Sequence, residues 1–380
     1  MLRSSMGFSA PRLAITRWLA FPGCDTPAEL HPALLGTLFG TLTVFFAALV
    51  NSVLVTGVVA FHEGSAPFIG WFVVEVAICT ARLAVLAVSL HRAGRGRSTP
   101  TDLHLWMSVL WALSIGYGGF ITITAGDWVS TVIVCLSSAA MAGGACLRNY
   151  AAPRFVVLLL TCNLVPCCLA AILSDQPALL VLLVQTPLFM VGMTAGAFRL
   201  NRALVATMQA ESAMVHLALH DPLTGLLNRT GLEQGFAGRA GDALCYIDLD
   251  GFKRINDRYG HAAGDGLLQT VADRLRQVAG PDALVTRIGG DEFVVIAADH
   301  DNHSAIALGN DIAAVLREPH AIAGDLVVSG ASIGIAVHDG GVRPLADLMA
   351  RADRSLYRVK AMGGGARLAD PERQDELLPF

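Results

Sequence analysis

The run LVTRIGGDEFVVIAA, residues 284–298, decides the fold of the C-terminal half. Leu284–Ile288 and Phe293–Ala298 are short apolar runs rich in β-branched and aromatic residues, separated by Gly289-Gly290-Asp291-Glu292. Paired glycines permit the positive φ of a tight turn, so the stretch predicts two strands joined as a hairpin. Outward from it, Ala243–Leu249 reads as a buried strand, and Gly264–Val278 as a helix with Leu267, Leu268, Val271 and Leu275 on its apolar face. A helix over about 304–317, a strand over about 326–337 and a helix over about 345–361 complete the pattern. Together these give an α/β sandwich around a mostly antiparallel sheet, flanked by helices.

Acidic residues crowd the exposed ends of these elements. Asp248 and Asp250 close the first strand and, two apart, share a face. Asp291 and Glu292 lie in the hairpin turn. If the hairpin pairs beside the first strand, the four carboxylates converge on one edge. Clustered carboxylates repel unless a cation neutralises them, and oxygen-only ligands suit Mg²⁺. Two-metal carboxylate sites drive in-line attack on phosphate. The residues alone therefore point to Mg²⁺-dependent nucleotidyl transfer, with solvated turn acids as the plain alternative.

The first half has another character. Only 15% of the 380 residues are charged, yet mean hydropathy is +0.55. Six apolar runs are long enough to span a bilayer: about 34–60, 67–90, 103–121, 127–147, 154–174 and 178–199. The third and fourth are expected to meet near Gly116–Gly119. Arg3, Arg12 and Arg17 precede the first run, Arg92, Arg95 and Arg97 follow the second, Arg148 and Arg154 flank the fourth connection, and Arg199 and Arg202 follow the sixth. The connections near His62–Glu63, Gly118–Asp127 and Ser174–Gln176 contain no Lys or Arg. By the positive-inside rule both termini are cytoplasmic, in an inner-membrane, multi-pass protein. A cleavable signal peptide is a poor fit, because the first apolar run starts past residue 30. Glu75 and Arg82 are the ionisable residues deep in a span. Glu75 reads as a polar contact and Arg82 as a snorkelling side chain, with a signal-sensing polar site as the sharper option. Residues 201–220 keep a helical spacing through Leu204, Met208, Val215 and Leu219, extending the sixth span. The eight cysteines show no metal-ligand spacing and read as small core residues. A net charge of −4 gives no global field that would recruit nucleic acid.

Arg287-Ile288-Gly289-Gly290-Asp291-Glu292-Phe293 resembles the signature of the GGDEF family of diguanylate cyclases. It comes with three further stretches in family order: Asp221-Pro222-Leu223-Thr224-Gly225-Leu226-Leu227-Asn228-Arg229, then Asp248 through His261 with Gly264-Asp265, and Ala352 through Lys360. The resemblance implies a palm-like fold over residues 221–370. It follows a cytoplasmic segment 1–33, a six-helix transmembrane region 34–199 that is a possible sensor, and a signalling helix 200–220. It precedes a tail 371–380, with no phosphodiesterase domain expected after it.

It also implies roles. Asp248, the Leu249 carbonyl, Asp291 and Glu292 would hold Mg²⁺ (or Mn²⁺), and Asp291 or Glu292 would be catalytic in removing the ribose 3′-hydroxyl proton. Asn256 and Asp265 would bind the guanine edge of GTP, with His261 and Phe252 in the same nucleotide pocket. Gly289 and Gly290 would let the backbone approach the phosphates, and Lys253 and Lys360 would bind their oxygens. Those two are the only lysines in the chain, beside 25 arginines, which supports a need for a compact point charge at both places. Each domain of a homodimer would hold one GTP. One position departs from the family: Gly363-Gly364-Gly365 stands where an arginine is usual, with Arg367 as a substitute. The inhibitory Arg-x-x-Asp site of many relatives would fall on Gly280 and Ala283, so none is expected, although Arg276 and Asp282 lie nearby. The rival readings are a non-catalytic module that binds GTP or cyclic di-GMP and signals by contact, and a transporter with a regulatory tail.

Overall fold

The computed structural model describes residues 7–21, 27–40, 42–238, 240–322, 325–340, 344–362 and 364–369; Arg3, Cys24, Gly363 and the tail 371–380 lie outside them. The chain forms two compact units, Met1–Ala210 and Glu211–Phe380.

The first unit is helical: α1 (Ala14–Ala20), α2 (His31–Gly40), α3 (Leu42–Glu63), α4 (Ala66–Ala93), α5 (Thr101–Ala125), α6 (Trp128–Asn149), α7 (Pro153–Leu173) and α8 (Leu182–Leu219), the last preceded by a short 3₁₀ turn. Six of its helical segments are long and apolar enough to cross a membrane, beginning at Leu42, Ala66, Thr101, Trp128, Pro153 and Pro177. The first apolar run thus holds two helices rather than one, and the spanning helix starts at Leu42. Spans three and four do not meet at Gly116–Gly119. Those glycines lie inside α5, where a Cβ would sit 2.3 Å from the Cys162 carbonyl at Gly116 and 2.0 Å from the Trp71 ring at Gly118. Small residues there let α4 and α7 pack closely on α5. The break comes at Gly126, with φ of 83°, followed by Asp127, which accepts from the Ser130 N–H at 2.7 Å to cap α6.

The second unit is a five-stranded sheet in the order β2-β3-β1-β6-β7. Its elements are α9 (Arg229–Gly235), β1 (Ala243–Asp250), α10 (Phe252–Tyr259), α11 (His261–Ala279), β2 (Leu284–Gly289), β3 (Glu292–Ala297), α12 (Asn302–Leu316), β4 (His320–Ile322), β5 (Asp325–Val327), β6 (Gly330–Val337), α13 (Leu345–Ala361) and β7 (Gly365–Leu368). All the pairings are antiparallel except β6–β7. The expected strand 326–337 is broken: its first residues pair with β4 in a separate two-stranded ribbon, and β6 alone joins the sheet.

Ala243, Cys245, Ile247 and Leu249 of β1 face a core built with α10, α11 and α12. Leu244 and Tyr246 face a second core with α9 and α13. Burial on both faces explains why β1 reads as a continuous apolar run. Only its last turn of side chains, Asp248 and Asp250, is partly open.

Candidate active site

The antiparallel register sets Asp248 opposite Glu292, which brings the end of β1 to the β2–β3 turn. The Leu249 N–H donates to the Asp291 carbonyl at 3.3 Å and ties the two together. In the turn only Gly290 takes a positive φ, 53°, while Gly289 stays in β2. A Cβ at either glycine would meet nothing within 4 Å, so this backbone lies open to an approaching ligand.

The electrostatics at this edge are strained. Burial, and then the neighbouring Asp248, raise the Asp291 carboxyl above the ordinary carboxylate value. Lys360, reaching in from the last turn of α13, forms an ion pair with Asp248 at 2.7 Å. The Tyr246 hydroxyl donates to Glu292 at 3.3 Å, and burial followed by the Glu292 charge pushes that phenol up to about 12, so it stays a donor. Asp250 turns away to accept from Ser332 Oγ at 2.8 Å. Glycine walls its carboxylate: a Cβ at Gly330 would come within 2.7 Å of Asp250 Oδ2, and one at Gly364 within 3.2 Å. Of the four acids expected on one edge, Asp248 lies opposite Glu292 in the strand register and acts on Asp291 in the turn, whereas Asp250 serves the sheet.

No group of three His, Cys, Asp or Glu side chains already gathers around one point among the described residues. The donor set nevertheless fits a hard cation. Asp248 and Asp291 are close enough to repel, the available ligands are oxygens, and an ammonium group already answers the charge.

Asn256 on α10 lies against Gly264 of α11, where a Cβ would stand 1.9 Å from the Asn256 Oδ1. That oxygen is buried and accepts no hydrogen bond among the described residues. Phe252 packs on the same core, 3.3 Å from the Gly264 Cβ position. His261, Asp265 and Lys253 are exposed on the same helix pair.

Arg287 is a residue the sequence motifs contained without revealing its role. It donates to both oxygens of Asp221, at 3.1 and 3.2 Å, and twice to the Gly290 carbonyl, at 3.0 and 2.8 Å. It thereby clamps the turn to the loop that opens the domain. Asp221 also accepts from the Thr224 N–H and hydroxyl. Burial opposes ionisation there, but these hydrogen bonds and then Arg287 outweigh it and hold Asp221 below the usual carboxylate range. Arg276, Gly280 and Ala283 line one open pocket of about 320 Å³ that has no carboxylate among its lining residues. Arg276 is turned to the Thr224 carbonyl, at 3.2 Å, and Asp282 is exposed. Arg367 points to Met362 Sδ, at 3.4 Å.

Residues 218–366 match the family described as diguanylate cyclase, GGDEF domain. The diguanylate cyclase TpbB of Pseudomonas aeruginosa is 36% identical over 173 residues, 43% of this chain and 40% of that protein. The bifunctional diguanylate cyclase/cyclic di-GMP phosphodiesterase MucR of the same species is 37% identical over 163 residues, 41% of this chain and 24% of that protein. A solved GGDEF domain of TpbB shares 35% identity, covers 40% of this chain and 94% of its own, and gives a TM-score of 0.38. The chain thus spans less than half the length of these curated relatives. Its C-terminal unit contains a GGDEF domain.

Proposed function

We propose that this domain is a diguanylate cyclase, condensing two GTP into cyclic di-GMP and two pyrophosphates. The observation that carries the reading is the meeting of Asp248, Asp291 and Lys360 at the end of β1. Asn256, half-buried beside Gly264, supports it, because a side-chain amide can exchange hydrogen bonds with a guanine edge. Asp265, His261 and Phe252 complete the base pocket, and Lys253 and Lys360 take the phosphates. Mg²⁺ or Mn²⁺, held by Asp248, the Leu249 carbonyl, Asp291 and Glu292, would neutralise phosphate charge there. Lys360 then exchanges its bond to Asp248 for phosphate oxygens.

Two domains face each other, each holding one GTP. The 3′-oxygen of one nucleotide bonds to the α-phosphorus of the other, and the bond to the β-phosphate oxygen breaks. Pyrophosphate leaves with the electron pair, and the 3′-hydroxyl proton passes to Asp291 or Glu292. Neither half-site closes the ring alone, so activity depends on dimerisation and positioning. Residues 34–199 would sit in the inner membrane as a possible sensor, and 200–220 would carry its signal to a cytoplasmic domain over 221–370. The pocket beside Arg276 has no acid to pair with guanine, so product should not brake this enzyme. Calorimetric titration should find weak binding of cyclic di-GMP, and submicromolar binding abolished by changing Arg276 or Asp282 would reverse that view.

Incubating residues 200–380 with GTP and Mg²⁺ and identifying the products by mass spectrometry tests the central reading. Cyclic di-GMP with two pyrophosphates per molecule supports it. Tight binding of GTP or cyclic di-GMP without turnover would assign a contact-signalling module instead.

A further inference from the structure

Three charged side chains are buried in the helical unit, and they do not balance. Among the described residues of Met1–Ala210, Glu75 is 0% exposed, Arg82 5% and Arg148 7%. Glu75 accepts from the hydroxyls of Ser52 and Ser114. Neither arginine makes an ion pair among the described residues. Arg82 does not snorkel. Its guanidinium lies 4.2 Å from the Trp111 ring centre and 5.2 Å from that of Phe45. Arg148 approaches the Phe45 ring at 4.3 Å and gives one N–H to the Leu38 carbonyl at 3.3 Å. Arg82 Nε and Nη1 and Arg148 Nη1 are buried and donate to nothing.

Both arginines line one small cavity, with Ser108, Trp111 and Asn149 among its other walls. Its volume is about 20 Å³, room for about one water molecule or small ion. Guanidinium groups stay charged at any pH the protein meets. One carboxylate against two guanidiniums leaves net positive charge in a low-dielectric interior, and unpaired buried charge is costly. Ring faces offset part of that cost but accept no N–H bonds in the plane of the guanidinium.

We infer that this cavity is a binding site for one small monovalent inorganic anion of halide size, chloride being the representative, held between Arg82 and Arg148. A halide accepts several N–H donors at once and cancels the excess charge. A divalent anion such as sulfate would overcompensate the single excess positive charge. The site is also placed to matter. Asn149 lines it, and two residues later the Ala151 carbonyl accepts from Asn201 Nδ2 of α8 at 3.0 Å. Occupancy therefore bears on the wall that holds α8. The inference does not depend on what the C-terminal domain catalyses.

The test uses the full-length protein purified in detergent and exchanged into gluconate buffer. Replacing gluconate by chloride or bromide at constant ionic strength should raise the thermal midpoint saturably, by roughly 5 °C at about a hundredfold excess over Kd. Sulfate at the same ionic strength should not. Arg148→Met and Arg82→Met should each abolish the response. Bromide should also quench a saturable component of tryptophan fluorescence that Trp111→Phe removes. If either arginine variant fails to fold, the wild-type titration and the Trp111→Phe comparison still decide. A wild-type midpoint indifferent to chloride means the cavity holds water or nothing, and overturns the site. An equal response to sulfate, or an undiminished one in folded Arg148→Met, overturns it as well.

Discussion

Asp248 pairs with Lys360, and Asp291 feels both Lys360 and Arg287, yet burial and its neighbour Asp248 still raise the Asp291 carboxyl. On the proposed reading, removing either carboxylate would take away a cation ligand at the reacting phosphates, a loss of a few kcal/mol of barrier stabilisation. Asp291→Ala and Asp248→Ala should each lower cyclic di-GMP synthesis by at least about 100-fold. Near-normal turnover in either purified variant would sink the assignment. Gly264 offers a gentler probe. A Cβ there would stand 1.9 Å from Asn256 Oδ1, so Gly264→Ala must displace the Asn256 side-chain amide. Loss of one hydrogen bond from that amide corresponds to about tenfold in affinity. Steady-state kinetics should therefore show KM for GTP rising about tenfold, with kcat changed far less. An unchanged KM would separate Asn256 from guanine recognition.

Between elements, Arg287 does what neither of its motifs could do alone. It joins the loop at Asp221 to the Gly290 carbonyl, with side chains 13% and 19% exposed. Arg287→Ala should cost about 2–3 kcal/mol of stability, read by denaturant unfolding of residues 211–380. The Asp221 carboxyl lies below its ordinary value in the folded state. Its contribution is then complete above the unfolded value near 3.9 and is lost as pH falls through the folded value. The stability gap between wild type and Asp221→Asn should be constant near neutrality and shrink only below about pH 4. A gap that shrinks instead between pH 6 and 8 would mean that another group is titrating. Much of this architecture was legible beforehand. The β2–β3 hairpin, α11 and α13 stand out through their turn glycines and apolar periodicity. The three-residue strands β4 and β5 are too short to show a period, and α10 buries only Ile255, so neither left a signal. The acids at the site could be found because they lie in short motifs. The bonds from Lys360 to Asp248 and from Tyr246 to Glu292 could not, because each depends on how separate elements pack.

At the scale of the whole chain, orientation follows from charge rather than from packing. The described helices place Arg92, Arg95 and Arg97 around the end of α4, and Arg148 and Arg154 around the α6–α7 connection. Glu63 ends α3, and Asp175 lies between α7 and the 3₁₀ turn before α8. Connections rich in arginine are retained on the cytoplasmic side, where moving each cation through the bilayer core would cost a few kcal/mol. Six crossings would return the chain to the side it started from, the cytoplasmic side on the proposed reading. The break between α5 and α6 at Gly126, rather than at Gly116–Gly119, leaves this parity unchanged, because it neither adds nor removes a crossing. Reporter fusions after Arg97, Arg154 and Arg202 should accordingly read cytoplasmic, and those at Glu63 and Asp175 periplasmic. Glu63 tests the first crossing, which is shortened by the separation of α2 from α3. Asp175 tests the last pair, where α8 is 38 residues long and continues past any bilayer thickness. A cytoplasmic reading at Asp175 would mean that α7 does not cross as proposed, and would break the six-span count on which the proposed cytoplasmic GGDEF domain rests.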